Sequence, residues 1–206
     1  MEIGRGILKA LGVCWETKKD QIVFKVRLNF CKKVRNRRTK PYSFADTIEK
    51  DFPQKFTKRI ALSLTHTIFD PTQLIQPFIL RLRLSYRNII IQEKLEGISS
   101  WDRELSDKTR DEWLKLAKMM FELEQISFDR SLVPRGYNSE VKPMLLLFSD
   151  GSDTGQCVVA YLRWEMSDSS VQLRIVTSRV KIASLNKITT PMSELLAAIV
   201  QTKSLA

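Results

Sequence analysis

Histidine and cysteine are scarce in this chain of 206 residues. His66 is the only histidine, so the sequence lacks the histidines of common zinc sites and of nucleophilic triads. Cys14, Cys31 and Cys157 are an odd number of cysteines at wide spacing, which suits neither a disulfide framework nor a zinc motif. We therefore expect reduced, structural cysteines and an ordinary surface or core role for His66.

Long apolar runs are absent as well. No segment approaches the roughly 18 uninterrupted apolar residues of a membrane span. The Met1 end carries Glu2 and Arg5 where a secretion signal would have its apolar core. These absences predict an intracellular protein, cytoplasmic or nuclear, without a membrane partner. Hydrophobic residues still make up 43% of the chain, so we expect a folded core.

Positive charge is in excess, with a formal net charge of +11. Part of the excess falls in one short stretch without an acidic residue, made of Lys32, Lys33, Arg35, Arg37, Arg38 and Lys40. Such a stretch favours an anionic partner, and nucleic acid is the first candidate for an intracellular protein. A solvated basic loop or a nuclear-import signal is the alternative interpretation.

An apolar run at residues 144–148 is followed directly by Ser149, Asp150, Gly151 and Ser152. The run predicts a strand buried on both faces, with Asp150 at its exposed end. In α/β proteins that position often holds a metal ligand or a catalytic carboxylate. The same residue types also favour a simple hairpin turn, and this segment alone leaves both interpretations open.

Upstream of this strand the patterns are mainly helical. Residues 11–15 and 22–28 predict a β-hairpin, with alternating apolar residues in its second strand. Thr57 is a candidate cap for a helix that ends near Pro71, and a second helix over 74–84 is interrupted by Pro77. Ser106 is a candidate cap for a third helix, whose apolar stripe includes Trp113.

Downstream the pattern changes from helix to strand. Residues 129–143 are rich in proline, glycine and asparagine, which predicts a linker and the best domain boundary in the chain. Three strands follow at 144–148, 157–164 and 171–175, and then a helix with Thr190 as cap and Pro191 in its first turn. This order predicts an α/β unit built on an antiparallel meander.

Several pieces of the chain together resemble BEL/Pao-type retrotransposon polyproteins. The ribonuclease H-like region is matched by FSDGS at 148–152, VVAYLR at 158–163, ASL at 183–185 and the segment from Thr190 and Pro191 through ELLAA at 194–198. The reverse transcriptase thumb and connection are matched by LGVCW at 11–15, TKR at 57–59, IFDP at 68–71, Pro77, WD at 101–102 and Trp113.

The resemblance implies an α+β fold in two parts. Residues 1–135 would form a largely helical, thumb- or connection-like region of reverse transcriptase with an N-terminal β-hairpin. Residues 136–206 would form an incomplete, truncated ribonuclease H-like domain, a three-stranded antiparallel meander plus one helix. Partners implied are an RNA/DNA hybrid or other nucleic acid and the rest of the polyprotein. The polymerase motif, a tyrosine followed by paired aspartates, is absent, which excludes polymerase activity for this chain alone.

The resemblance also implies a catalytic pair. Ribonuclease H-like folds carry one acidic metal ligand on the first strand and another on the first helix, and those positions here are Asp150 and Glu194. Two Mg²⁺ ions held by such carboxylates activate water against a phosphodiester. Taken alone, Glu194 in the first turn of its helix is equally explained by the helix dipole.

Departures from the family pattern argue against activity. Met192 and Ser193 stand where the family commonly has arginine and leucine, and Cys157 stands where it has glycine. Further acidic ligands on a later strand and helix are missing before Ala206. We therefore expect the chain alone to bind nucleic acid without cleaving it, and its strand at 144–148 to present an unpaired edge.

A peptidase is the alternative function. Asp153, Thr154 and Gly155 spell the tripeptide of retroviral-type aspartic proteases, and the Pao region has been catalogued as a peptidase family. Such enzymes pair two of these aspartates so that one carboxyl stays protonated. In this sequence the tripeptide follows a polar turn, and alignment with the family places Asp153 in a hairpin loop, which weakens the alternative.

Overall fold

The computed structural model describes residues 7–10, 13–26, 28, 48–50, 52–183 and 189–202. In that part of the chain, strands β1 (Ile7–Ala10), β2 (Val13–Glu16), β3 (Gln21–Val23) and β4 (Ser127–Asp129) form one sheet, and β5 (Met144–Gly151), β6 (Gly155–Glu165) and β7 (Val171–Ile182) form another. The helices are α1 (Lys58–Thr65), α2 (Gln76–Leu95), α3 (Asp107–Glu122) and α4 (Thr190–Thr202). The mixture of helices and antiparallel sheets agrees with the predicted α+β class. None of the described helices is both long and apolar enough to cross a membrane.

The first sheet confirms the N-terminal hairpin. Strands β2 and β3 are antiparallel and are joined by a turn at residues 17–20, where Asp20 adopts a φ of 56°. β4 joins the other edge of β3, so the chain returns to this sheet more than 100 residues later. Beyond β3 the backbone of residues 24–26 is no longer a strand, yet the alternating Phe24, Val26 and Leu28 are buried as their pattern predicts.

Helices α1 and α3 begin where their caps predict. The side chain of Thr57 accepts a hydrogen bond from the backbone N–H of Ile60, and that of Ser106 accepts one from Thr109. Each cap satisfies an N–H group that has no partner within its helix. The exposed His66 caps the C-terminal end of α1, consistent with a surface role.

Helix α2 is longer than the sequence predicts. The predicted helix over 74–84 was to be broken by Pro77, but α2 runs from Gln76 to Leu95 with Pro77 in its first turn. Proline is tolerated there because the first N–H groups of a helix have no intrahelical acceptor. A buried ion pair between Lys58 and Glu93 ties α1 to α2.

The main hydrophobic core lies among helices α1 to α3 and the segment after β3. The predicted stripe of α3 contributes to it through Trp113, Ala117 and Met120, which are at most 1% exposed. Stacked rings of Phe52 and Phe56 pack beside Trp113. Burial of these large side chains supplies the main driving force for this part of the fold.

The second sheet confirms the antiparallel meander, in the order β5-β6-β7. The predicted burial of the first strand on both faces is wrong. Met144, Leu145 and Phe148 are 55%, 46% and 60% exposed, and within the described residues β5 pairs with β6 alone. Burial on both faces requires a packing partner on each face of the strand. Helix α4 contacts β5 near Gly151, at the C-terminal end of the strand.

The two faces of the meander meet different parts of the chain. Gly151 pairs with Gln156 and contacts α4, which therefore lies on the face where Val158 and Ala160 are buried. On the opposite face, Ser178 of β7 donates both its N–H and its hydroxyl to the carbonyl of Gln73, at 2.9 and 2.6 Å. The meander and the helical part are thus in contact, and the boundary between residues 135 and 136 stays a prediction.

Candidate functional site

Asp150 lies near the end of β5, as predicted. Its side chain is exposed, and its Oδ1 accepts a hydrogen bond from the N–H of Gly151 at 2.8 Å. Cys157 is its cross-strand neighbour on β6. The exposed carboxylate is thus held by the backbone of the residue that follows it.

Gly151 brings helix α4 onto the end of the strand. A Cβ atom on Gly151 would lie 2.4 Å from the carbonyl oxygen of Ser193 and 2.9 Å from its Oγ. No real Cβ atom makes such contacts, so this close approach of strand and helix requires glycine. Ser193 is fully buried and donates a hydrogen bond from Oγ to the carbonyl of Ser152 at 2.9 Å.

Glu194 follows Ser193 directly and is exposed. Because Gly151 touches Ser193, the Cα atoms of Asp150 and Glu194 lie within about 10 Å of each other, the sum of the connecting bonds and the contact. Alternation along β5 directs Asp150 to the sheet face opposite α4. The two carboxylates therefore flank the end of β5 from its two sides.

The predicted position of Glu194 in the first turn of its helix is wrong by one residue. Helix α4 already begins at Thr190, so Thr190 and Pro191 are both helical and the first turn contains no acidic residue. The dipole effect falls off within the first turn, which weakens the purely stabilising interpretation of Glu194.

Gly151 and Ser193 were not singled out as site residues from the sequence. The glycine that directly follows the aspartate is the available sequence signal, since a glycine at a strand end often marks close backbone approach. Ser193, seen in the sequence only as a departure from the family pattern, has no such signal. Its buried hydroxyl donates a hydrogen bond from the helix to the residue that directly follows β5.

The donor chemistry fits Mg²⁺ in part. Mg²⁺ prefers oxygen ligands and is often held by one or two carboxylates together with water and substrate phosphates. Asp150 and Glu194 are such donors. Among the described residues, however, no group of three or more His, Cys, Asp or Glu side chains is arranged to hold a metal ion.

The described cysteines are free thiols. Cys14 is half-buried and Cys157 is exposed, so the expected reduced state agrees with the structure for both. The exposed Cys157 contributes little packing, which corrects its predicted structural role. Cys31 lies outside the described residues.

The tripeptide Asp153, Thr154 and Gly155 lies at the β5–β6 hairpin. Asp153 is exposed in the turn, where the N–H of Ser152 donates to the carbonyl of Gly155 at 2.9 Å. This position agrees with the hairpin loop expected from the family alignment. A protease aspartate must face a second aspartate in a shared site, and an exposed turn gives no support to that chemistry.

The predicted nucleic-acid contacts Lys32, Lys33, Arg35, Arg37, Arg38 and Lys40 all lie outside the described residues. Their role therefore stays a prediction.

Comparison with known proteins gives one family. The family model described as a Pao retrotransposon-like RNaseH-like domain matches residues 57–206. The matched range begins at the cap of α1, so it includes helices α1 to α3 as well as the meander and α4. A search of curated proteins finds no match.

Proposed function

The chain belongs to the Pao retrotransposon-like RNaseH-like domain family, and from this premise we propose that it is a fragment of a BEL/Pao-type polyprotein, from the reverse transcriptase to ribonuclease H region. In this proposal it binds nucleic acid and, by itself, does not cleave it. The contact between Gly151 and Ser193 is the observation that carries the proposal, because it brings the backbones that bear Asp150 and Glu194 together at the end of β5.

Asp150 and Glu194 would be the residues that hold Mg²⁺. Bound Mg²⁺ supplies Lewis-acid stabilisation and an activated water for phosphodiester hydrolysis. The contribution of this chain is to place two exposed carboxylates at the end of β5, open to a phosphate from solvent. Two carboxylates support weak binding of the ion, since water or phosphate must complete its octahedral shell.

Weak metal binding is the reason to expect an inactive chain. A two-metal site needs ligands that fix both ions about 4 Å apart. The described residues offer two neighbouring carboxylates and no larger acidic group. The alternative, a fully active nuclease, would require further ligands in addition to this pair.

Nucleic acid is the proposed partner on electrostatic grounds. The net charge of +11 and the basic stretch of residues 32–40 favour a polyanion. Contacts of lysine and arginine with phosphates carry no sequence information. We therefore expect binding of an RNA/DNA hybrid that weakens steeply with salt and depends little on sequence.

Metal binding by Asp150 and Glu194 is tested with Mn²⁺ as a spectroscopic substitute for Mg²⁺. Titration followed by electron paramagnetic resonance should show binding to the chain and a loss of affinity of tenfold or more in Asp150→Asn and in Glu194→Gln. Asp153→Asn, which removes a nearby exposed carboxylate from the turn, is the matched control and should bind like the unmodified chain. Equal affinity in all four proteins would contradict the proposed site.

Activity is tested with a labelled RNA/DNA hybrid and Mg²⁺. We expect salt-sensitive binding without cleavage. Cleavage that disappears in Asp150→Asn would show that the chain is an active nuclease and would overturn the proposed inactivity. Failure to bind the hybrid at low salt would contradict the proposed partner. Cleavage of a peptide substrate that is lost in Asp153→Asn would revive the peptidase alternative.

A further inference from the structure

A polar cleft of about 610 Å³ lies between the β2–β3 turn, the segment after β4 and the start of β7. Its cationic lining residues are Lys18, Lys19, Arg130, Arg135 and Arg174. Its acidic lining residues are Asp20 and Asp129. The cleft includes neither residues 32–40 nor the carboxylates of Asp150 and Glu194.

Both acids of the cleft are already engaged by arginines. Arg130 forms a bidentate ion pair with Asp20. Its Nε lies 2.5 Å from Oδ1 and its Nη2 lies 3.0 Å from Oδ2. Arg174 lies 3.1 Å from Asp129. Each acid is thus neutralised by a partner within the same wall, and neither is left to repel an incoming anion.

Three cations remain in excess. The Lys18 side chain is exposed, and Lys19 is 68% exposed and only 3.9 Å from Glu16, at the limit of an ion pair. Arg135 lies close enough to Asp20 for its charge to act on that carboxylate, which Arg130 already binds. The local excess of positive charge is therefore concentrated on one rim of the cleft.

The wall that carries these cations is well ordered by its own contacts. The backbone N–H of Arg130 donates to the carbonyl of Asp20 at 3.0 Å, and its guanidinium lies over the Trp15 ring, 5.3 Å from the centroid. The indole N–H of Trp15 donates to Asp20 at 2.9 Å. The contacts of Arg130 join residues more than 100 positions apart, so the cleft is a product of the tertiary fold.

We propose that this cleft binds phosphate groups of a nucleic-acid backbone, in addition to the contacts expected from residues 32–40. The inference rests on the proposed function, because the same charges could attract an acidic peptide. Nucleic acid is favoured by the three excess cations Lys18, Lys19 and Arg135 in one cleft, and by the net charge of the whole chain.

The test compares two triple variants of equal charge. The cleft variant carries Lys18→Gln, Lys19→Gln and Arg135→Gln, and the control carries Lys55→Gln, Lys108→Gln and Lys115→Gln at exposed positions outside the cleft. Affinity for a fluorescent RNA/DNA hybrid is measured by anisotropy at several salt concentrations. The cleft variant should bind at least tenfold more weakly at 0.1 M salt, and its salt slope should fall by about 2 to 3, near 0.9 for each lost contact.

The outcomes separate this inference from the function on which it rests. Failure of the unmodified chain to bind the hybrid overturns both. Hybrid binding by the unmodified chain with equal losses in the two variants overturns the cleft alone, because net charge then explains the effect. Loss of polyglutamate binding in the cleft variant, with hybrid binding unchanged, also overturns it in favour of an acidic partner. Circular dichroism and thermal melting of both variants establish that they are folded.

Discussion

At the scale of single residues, Gly151 decides how strand and helix meet. Its hydrogen atom occupies a position where any side chain would collide with the backbone of Ser193. A backbone obstacle cannot rotate away as a flexible side chain can, so the strain must be relieved by moving the helix or the strand. The position of Glu194 relative to Asp150 therefore depends on this glycine.

Gly151→Ala should lower the free energy of unfolding by about 1 to 3 kcal/mol, the usual cost of overpacking. Mn²⁺ affinity should fall as well, because α4 must shift away from β5. Ser193→Ala is the companion variant, since it removes only the hydrogen bond to Ser152, worth about 1 kcal/mol, and leaves the backbone contact in place. Urea unfolding measures both variants. An alanine variant at Gly151 with unchanged stability and metal affinity would contradict the close approach.

Asp20 provides a prediction about pH. Its hydrogen bonds from Arg130 hold the pKa of its carboxyl below the usual value. A lowered pKa means that the folded state favours the ionised form. The stabilisation is therefore complete above the ordinary aspartate pKa, about 3.9, and is lost as pH falls through the lower folded value.

Asp20→Asn should therefore reduce the urea midpoint at pH 7 and reduce it less at pH 2, because the stabilisation from the carboxylate is lost as the pH falls below the ordinary aspartate pKa. The effect should be modest and should shrink in high salt, because the pair is exposed. Asp153→Asn in the exposed hairpin turn is the control. The same difference between the unmodified chain and Asp20→Asn at both pH values would show that the carboxylate charge does not matter.

At the scale of elements, β5 is the most unusual strand. It has eight residues and a run of large apolar side chains, yet several of these are exposed on both of its faces. Within the described residues its outer edge has no partner strand. Exposed apolar edges promote pairing with other chains, and natural proteins usually protect them.

We expect concentration-dependent association of the chain through this strand. Phe148→Lys should reduce it, because the phenylalanine is 60% exposed and a lysine on an edge strand opposes pairing. Phe69→Lys is the matched control, since Phe69 is 57% exposed but lies outside β5. Sedimentation velocity over a range of concentrations measures the effect. Equal reductions in the two variants would contradict a specific role of β5.

At the scale of the whole molecule, the meander packs on the helical part. Ser178 and Thr177 of β7 donate hydrogen bonds to backbone carbonyls just ahead of α2, and Arg174 pairs with Asp129. Leu80 of α2 would lie 3.6 Å from a Cβ atom on Gly155. The predicted boundary between residues 135 and 136 thus divides two parts that share an interface.

We expect the two parts to unfold in one transition, because contacts such as those of Ser178 would be lost if either part opened alone. Urea unfolding can be followed by tryptophan fluorescence in two variants that differ in the reporting residue. Trp164→Phe leaves Trp113 of the helical core to report, and Trp113→Phe leaves Trp164 of the meander. Trp15 and Trp101 are replaced by phenylalanine in both. The urea midpoints of the two variants are compared after correction for the stability change that each set of replacements causes. A remaining difference would show that the two parts unfold independently.

Much of the local structure was predictable because short-range physics determines it. Thr57 and Ser106 cap helices wherever a helix follows, and the stripe around Trp113 has the 3.6-residue period of a buried helix face. The turn at Asp168 depends on a short-range bond of the same kind, since its carboxylate accepts a hydrogen bond from the N–H of Ser170. The errors at Pro77 and Thr190 concern helix ends, where a proline fits equally well just inside a helix or as its stop.

The sequence by itself determined the α+β class, the meander, the family resemblance and the two carboxylates Asp150 and Glu194 as candidates, since each depends on local pattern or motif. Tertiary structure decided where β5 and α4 meet, because the Gly151–Ser193 contact joins segments more than 40 residues apart. It also decided that the apolar β5 is exposed and that the cations around Arg130 share one cleft. Side-chain type determines what a residue can bind, whereas its burial and its neighbours depend on how distant segments of the chain pack.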